Sequence, residues 1–236
     1  MIGRVVGAEF PARWRAACAY VLLAIVFVLT VALPIATYWR GQPVNAETMG
    51  LGALFTGQGV LASFLSLWFI LRTRTAVGSF LKLPAGRWLS RIGEGLRVGI
   101  LGWLLTMTAM IALGVVTHAG TLAPHPGFAQ VMVWMAQRPL MLRVALIAVA
   151  MVVEEAFFRA FVQERFGIVV ATVWFALSHM NYGSPTMGVG VLVIGAVLGR
   201  AYQRTEDLAI CAVAHGTFDA IQLLVVLPLI ASHLPR

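Results

Sequence analysis

The chain has 236 residues, of which 60% are hydrophobic and only 11% are charged. Soluble domains carry about 25% charged residues, so this composition excludes an ordinary soluble protein and indicates an integral membrane protein. The net charge of +8 does not predict nucleic-acid binding, because the basic residues cluster between apolar segments and form no continuous basic face. Cys18 and Cys211 both lie in apolar stretches, which excludes a disulfide framework and a zinc C-x-x-C pair.

Seven apolar segments approach or exceed the length of about 20 residues that a spanning helix needs. In chain order they are residues 16–38, 49–71, 95–117, 140–163, 167–181, 185–203 and 207–232. The first is too long for a signal peptide, and no cleavage site follows it. The sequence therefore predicts an all-α polytopic membrane helical bundle of about seven transmembrane helices (six to eight), with residues 1–236 forming a single integral membrane domain.

Two of the connections between these segments have a distinctive composition. Residues 78–91 mix aromatic and basic side chains, which predicts either an interfacial segment on the cytoplasmic leaflet or a loop that anchors the third span. Residues 118–139 contain Pro124, Pro126 and Pro139 and predict an irregular external loop.

Basic residues concentrate in alternate connections: before the first span, between the second and third, after the fourth, and at the end of the sixth. Because cytoplasmic loops carry an excess of Lys and Arg, this pattern predicts a cytoplasmic N-terminus and an external C-terminus. The short basic chain is typical of a protein of the prokaryotic inner (plasma) membrane.

Ionisable residues interrupt the apolar spans of the second half at a few positions. They are Glu154, Glu155 and Arg159 on the fourth span, His179 on the fifth, and His215 and Asp219 on the seventh. Such groups are costly in hydrocarbon, so they are expected to face the bundle interior and to be functional. A rise of about 1.5 Å per residue places the carboxylates and histidines roughly 12–18 Å from the cytoplasmic boundary. Three helices therefore present them at nearly one level.

Helical spacing separates the two glutamates. Glu155 and Arg159 are four residues apart and share a face, which predicts a buried ion pair. Glu154 points about 100° away and lacks that cation, so it suits a general acid or base. His215 and Asp219 are also four apart and share a face. The competing interpretation is a buried charge cluster that only fixes helix packing.

Three short stretches carry a family resemblance: EEAFFR at 154–159, FALSH at 175–179 and HGTFD at 215–219. In order and spacing they resemble the three motifs of the CAAX protease and bacteriocin-processing family, a group of intramembrane proteases that includes the type II CAAX prenyl endopeptidase. The resemblance covers about 140–230, and residues 140–232 are expected to form the catalytic core. Asp219 stands where many family members carry Asn.

The resemblance implies an intramembrane endopeptidase that acts on a membrane-anchored or transmembrane peptide or protein. It implies that Glu154 and His179 activate water and that His215 and Asp219 lie near the scissile carbonyl. Glu155 belongs to the same catalytic motif, and Arg159 and Phe175 are expected to support the site. No cofactor is favoured. If zinc is present, the expected ligands are His179, His215 and Glu154.

Other functions are compatible with part of this pattern. A transporter could relay protons through the same residues, but it predicts polar residues through both leaflets, whereas the sequence shows one layer. A non-proteolytic scaffold or immunity protein would keep the fold without turnover. A cysteine nucleophile is a further alternative, because Cys211 lies four residues before His215 on the same helix face. A free cysteine in a spanning helix, however, usually acts as a small apolar residue.

Overall fold

The computed structural model describes residues 9–41, 50–73, 76–83, 86–116, 126–180 and 185–233. Within these ranges the chain consists of helices and their connections. In chain order the helices are α1 (Arg13–Trp39), α2 (Thr56–Leu71), α3 (Val77–Phe80), α4 (Trp88–Val116), α5 (Pro126–Ala136), α6 (Leu140–Glu155), α7 (Glu164–Leu177), α8 (Pro185–Thr205), α9 (Leu208–Ala220) and α10 (Leu227–His233). The predicted all-α membrane bundle is confirmed.

Among the described residues, five helical segments are long and apolar enough to cross a membrane. They are Arg13–Trp39, Gly52–Leu71, Trp88–Val116, Thr186–Thr205 and Leu208–Ser232. They correspond to the first, second, third, sixth and seventh predicted spans. The third begins at Trp88, earlier than the predicted start at residue 95, so part of segment 78–91 belongs to α4. The interfacial placement of that segment stays a prediction.

The fourth and fifth predicted spans are helical, but they are not among these five segments. Residues Leu140–Glu155 continue without a break as a π-helix over Ala156–Gln163, so the predicted range 140–163 is helical throughout. The helix that follows, α7, is shorter than its predicted range, because it ends at Leu177. Gly167 has a φ of 85°, which glycine adopts readily, and this residue turns the chain near the start of α7.

The prediction of an irregular loop over 118–139 is wrong for its second part. Residues Pro126–Ala136 form helix α5, and residues 118–125 lie outside the described ranges. Proline is favoured in the first helical turn, where its missing N–H costs no hydrogen bond. Val131 and Met135 are one turn apart and buried, and α5 packs against α10. An apolar face on this helix therefore outweighs the proline signal.

In the part of the chain that the structure describes, three helical stretches adopt the wider π form: Val28–Ala32, Ala156–Gln163 and Ile221–Val226. The last of these has a clear partner on α6. In a π-helix the carbonyl of Leu223 would pair with the N–H five residues on, but that residue is Pro228, which has none. Arg143 Nη1 donates to this carbonyl at 2.9 Å instead. Arg143 thus joins α6 to the extension of α9.

The bundle brings α4 against α8 and α9 through small residues. A Cβ added at Gly99 would lie 2.6 Å from the carbonyl oxygen of Ala214, so only glycine permits this approach. On the same face, a Cβ added at Gly95 would lie 2.6 Å from Val213 Cβ, and one added at Gly102 would lie 2.9 Å from Ile194 Cδ1. Because Ala214 is next to His215, this contact fixes the position of the helix that carries His215.

Lys82 joins three connections at one end of the bundle. Its Nζ lies 2.7 Å from Glu164 Oε1 and 3.5 Å from Glu206 Oε2. Burial lowers the pKa of Lys82, but the hydrogen bond and charge of Glu164, with those of Glu206, raise it above its ordinary value overall. Nearby, Arg91 Nε lies 2.7 Å from Asp207 Oδ2, and both side chains are buried. Asp207 also caps α9 by accepting from the Ala209 N–H.

Candidate active site

Glu154 and Glu155 occupy the last two positions of α6, where the α-helix passes into the π segment Ala156–Gln163. All eight residues of that segment are buried. A π segment pairs each N–H with a carbonyl five residues earlier and widens the helix, and such segments are frequent at functional sites. The double glutamate therefore lies at a local change of helix geometry inside the bundle.

Glu155 has two partners, one for each carboxylate oxygen. Oε2 accepts from Arg159 Nε at 2.9 Å, and the two side chains are fully buried, with 0% exposure. This confirms the predicted ion pair. Oε1 lies 2.9 Å from His215 Nδ1 on α9, a contact that the sequence analysis did not predict. Glu155 therefore links its own helix to the histidine of the third motif.

His215 is held from both sides of its ring. Its Nδ1 contacts Glu155, and its Nε2 lies 3.4 Å from Asp219 Oδ2. The contact with Asp219 agrees with the predicted placement of His215 and Asp219 on one face of the helix. A protonated imidazole has one N–H for each carboxylate, whereas the neutral ring has only one donor. The two carboxylates thus fix the plane and direction of the ring.

Glu154 is 8% exposed and has a different environment from Glu155. Its Oε1 accepts from Gln58 Nε2 on α2 at 2.9 Å. Within the described ranges it forms no ion pair with an arginine or lysine, which agrees with the predicted contrast between the two glutamates. The neutral Gln58 amide holds this carboxylate without neutralising its charge.

His179 lies in the turn after α7 and not on the helix, where the sequence placed it. Its Nδ1 lies 2.7 Å from the carbonyl oxygen of Phe175, so Nδ1 carries the proton and donates. The three motifs converge on one region, because Glu155 contacts His215 and the Phe175 ring lies close to the rings of both His179 and His215.

Phe175 forms the apolar side of this region. Its ring centroid lies 4.7 Å from that of His179 and 6.0 Å from that of His215. The Arg159 guanidinium lies 5.5 Å from the same centroid, within cation–π range. Phe175 therefore lies close to both histidines and packs on the cation of the buried ion pair, consistent with the supporting position expected for Phe175 and Arg159.

The arrangement does not fit the zinc site considered above. The described residues contain no group of three or more His, Cys, Asp or Glu side chains placed to hold a metal ion. Both ring nitrogens of His215 contact carboxylates, Nδ1 that of Glu155 and Nε2 that of Asp219. A zinc ligand set would require His215 to leave Glu155 or Asp219.

Two features of the site were not predicted from the sequence. Gln58 lies outside the three motifs and is uncharged, although a glutamine among apolar residues of a spanning helix is a signal for an interhelical hydrogen bond. The Glu155–His215 contact joins residues 60 positions apart in sequence. Spacing within one helix cannot predict it.

Cys211 is fully buried and its Sγ lies 3.7 Å from the Leu198 carbonyl oxygen, as expected for a packing residue.

Residues 136–221 match the family model described as type II CAAX prenyl endopeptidase Rce1-like. The matched segment contains all three motifs, and the resemblance stated from the sequence is confirmed over these residues. No curated protein and no solved structure matches the chain. The match supports a CAAX-type intramembrane protease family, and together with the apolar helices it indicates an integral membrane protein.

Proposed function

We propose that the chain is an intramembrane endopeptidase that hydrolyses a peptide bond of a membrane-anchored or transmembrane protein or peptide. The observation that supports this most directly is the buried cluster in which Glu155 contacts His215 beside Glu154. It lies within a segment similar to type II CAAX prenyl endopeptidases. Charged groups inside an apolar bundle are costly and mark reaction sites by default.

Glu154 is the proposed general base. It has a carboxylate held by a neutral amide, so it can take a proton from a water molecule as that water attacks. His179 is proposed to hold the same water. The contact between Nδ1 and the Phe175 carbonyl fixes the orientation of the ring for this role.

His215 is proposed to face the oxygen of the scissile carbonyl, where negative charge develops. Glu155 fixes the ring through Nδ1, and Asp219 orients it through Nε2. The 3.4 Å separation of Nε2 and Asp219 is long for a hydrogen bond. Asp219 therefore engages the Nε2–H only weakly, and this N–H can also donate to a developing oxyanion, as a fixed donor that stabilises such intermediates. Asp219 acts here as an orienting group.

The proposed reaction balances without a cofactor. The water oxygen forms a bond to the carbonyl carbon while one of its protons passes to Glu154. The tetrahedral intermediate then collapses, the C–N bond breaks, and Glu154 returns the proton to the leaving amine nitrogen. The products are a new carboxyl terminus and a new amino terminus in the membrane.

We also propose the prokaryotic inner membrane as the location, with the N-terminus in the cytoplasm. The distribution of basic residues supports this orientation. Reporter domains fused after residues 82 and 128 should report the cytoplasmic and the external side, respectively. If both reporters lie on one side, the orientation is wrong.

The function is tested by reconstituting the purified chain in vesicles together with the total membrane proteins of the expression host. We expect new protein termini within or beside apolar segments, increasing with time, because the proposed site is buried in the bundle. Mass spectrometry of protein termini measures them. Because the described residues include no group placed to hold a metal ion, we expect the same termini after exhaustive chelation.

Two outcomes would contradict these expectations. Vesicles in which no new termini form would contradict the protease, and a proton flux in those vesicles would favour a transporter. Cleavage that stops on chelation and returns with zinc would show that His215 leaves its carboxylate partners to bind metal.

A further inference from the structure

We infer that Gln58 is a positioning residue that holds the proposed base, Glu154, in its reactive orientation. This inference rests on the proposed function and adds a residue from α2, which lies outside the segment that matches the family model. The direct observation is the 2.9 Å hydrogen bond from Gln58 Nε2 to Glu154 Oε1. Because a carboxylate only accepts, the amide nitrogen must be the atom that faces it.

The position of Gln58 is fixed by the packing of the helix that carries it. Gln58 begins a stripe on α2 that continues through the buried residues Leu61, Phe64 and Trp68 at helical spacing. Gln58 is the polar residue of this stripe. It faces the acidic end of α6, where Glu154 and Glu155 lie. The amide is therefore placed by the same face that packs α2 into the bundle.

Aromatic contacts set the register between the two helices. The ring centroids of Phe64 and Phe157 are 5.5 Å apart, and those of Trp68 and Phe161 are 4.7 Å apart. Residue numbers rise together on the two sides, so α2 runs parallel to α6 and its π extension. Gln58 lies six residues before Phe64 and Glu154 lies three residues before Phe157, and their side chains meet through the hydrogen bond. Large buried rings in contact resist sliding, so this register holds the hydrogen bond in place.

The two glutamates then have separate means of orientation. Glu155 is held by Arg159 and His215, which carry or can carry positive charge. Glu154 is held by a neutral amide. A cation in that position would compete for the carboxylate that must take a proton, whereas an amide orients it and leaves its basic oxygen available. The proposed base Glu154 thus keeps a basic oxygen, although the neighbouring Glu155 is fixed in an ion pair.

The test compares variants that keep the shape of Gln58 and change its donor. Gln58→Met removes the donor, and Gln58→Glu replaces it with an acceptor. We expect both to fold and both to lower the rate of terminus formation about 10–100-fold, the size of effect seen when a hydrogen-bond partner that orients a metal ligand is lost. The substrate probe is the total membrane protein of the host, in the vesicle assay described above.

Gln163→Met is the matched control. Gln163 also donates to a neighbouring helix, through Nε2 to the Gly199 carbonyl oxygen at 2.8 Å, but it has no contact with Glu154. We expect this variant to lose some thermal stability and to retain the cleavage rate per folded molecule. A purely structural Gln58 would give the same result for Gln58→Met.

A swapped pair separates the hydrogen bond from the chemistry. Gln58→Glu combined with Glu154→Gln keeps an amide–carboxylate hydrogen bond between the helices with its direction reversed. We expect thermal stability close to that of the wild type and no cleavage, because the carboxylate is on the wrong helix. Wild-type cleavage in Gln58→Met or in the swapped pair would overturn the inference. Absence of cleavage by the wild type would instead overturn the proposed function.

Discussion

Glu154→Gln should lower the rate of terminus formation by about 10²–10⁴-fold, the range attributed to a positioned general acid or base. The substituted side chain has nearly the same size and can still accept the hydrogen bond from Gln58, so the packing of α2 on α6 is expected to remain. It cannot take a proton from water. We therefore expect loss of cleavage without loss of folding, measured by mass spectrometry of termini and by thermal unfolding of the purified variant.

Glu164→Gln is a suitable control for that experiment. Glu164 accepts a hydrogen bond from Lys82 at 2.7 Å, at the end of the bundle and away from the histidines. The same chemical change there should leave the cleavage rate within about twofold of the wild type, since the contact is exposed and such pairs contribute little. Unreduced cleavage by Glu154→Gln, with Glu164→Gln as reference, would mean that another group acts as the base.

The parts of the fold that the sequence predicted correctly follow from local rules. A run of about 20 apolar residues can be recognised without knowing its neighbours, because the bilayer sets the required length. The ion pair of Glu155 with Arg159 and the contact of His215 with Asp219 also follow from spacing, since residues four apart share a helix face.

The parts that were missed depend on contacts between distant segments or on backbone detail. The Gln58–Glu154 hydrogen bond is set by aromatic packing between α2 and the π segment, and no short pattern specifies it. The placement of His179 was wrong because α7 ends at Leu177, where Ser178 turns back and donates to the Phe175 carbonyl. Composition does not distinguish the hydrogen-bond register of a π-helix from that of an α-helix.

The position of Glu155 between two partners makes the site sensitive to a single arginine. Arg159 Nε neutralises one carboxylate oxygen, and His215 contacts the other. Removing Arg159 leaves a buried carboxylate with one partner and also removes the cation from the face of Phe175. The helix that carries Glu154 would then contain an uncompensated charge next to the base, so folding and catalysis are coupled through this pair.

Arg159→Ala should therefore lower the free energy of unfolding by roughly 3–5 kcal/mol, the cost of breaking a buried ion pair by removing one partner. Unfolding in detergent micelles and the amount of folded protein in the membrane measure this effect. We expect poor accumulation of the variant. Glu154→Gln, one position from the pair, should accumulate normally, so the two substitutions give opposite patterns of folding and activity.

Arg97→Ala supplies the matched control, because Arg97 forms an ion pair with Glu94 at 2.6 Å with similar helical spacing, but its side chain is 64% exposed. Solvent screens such a pair, so its loss should leave the unfolding temperature nearly unchanged. A second variant, Arg159→Met with Glu155→Gln, removes both charges and keeps most of the volume. It should be more stable than Arg159→Ala, because the stranded carboxylate is gone. If Arg159→Ala is as stable as Arg97→Ala, the buried pair does not hold the site, and Glu155 depends on His215 alone.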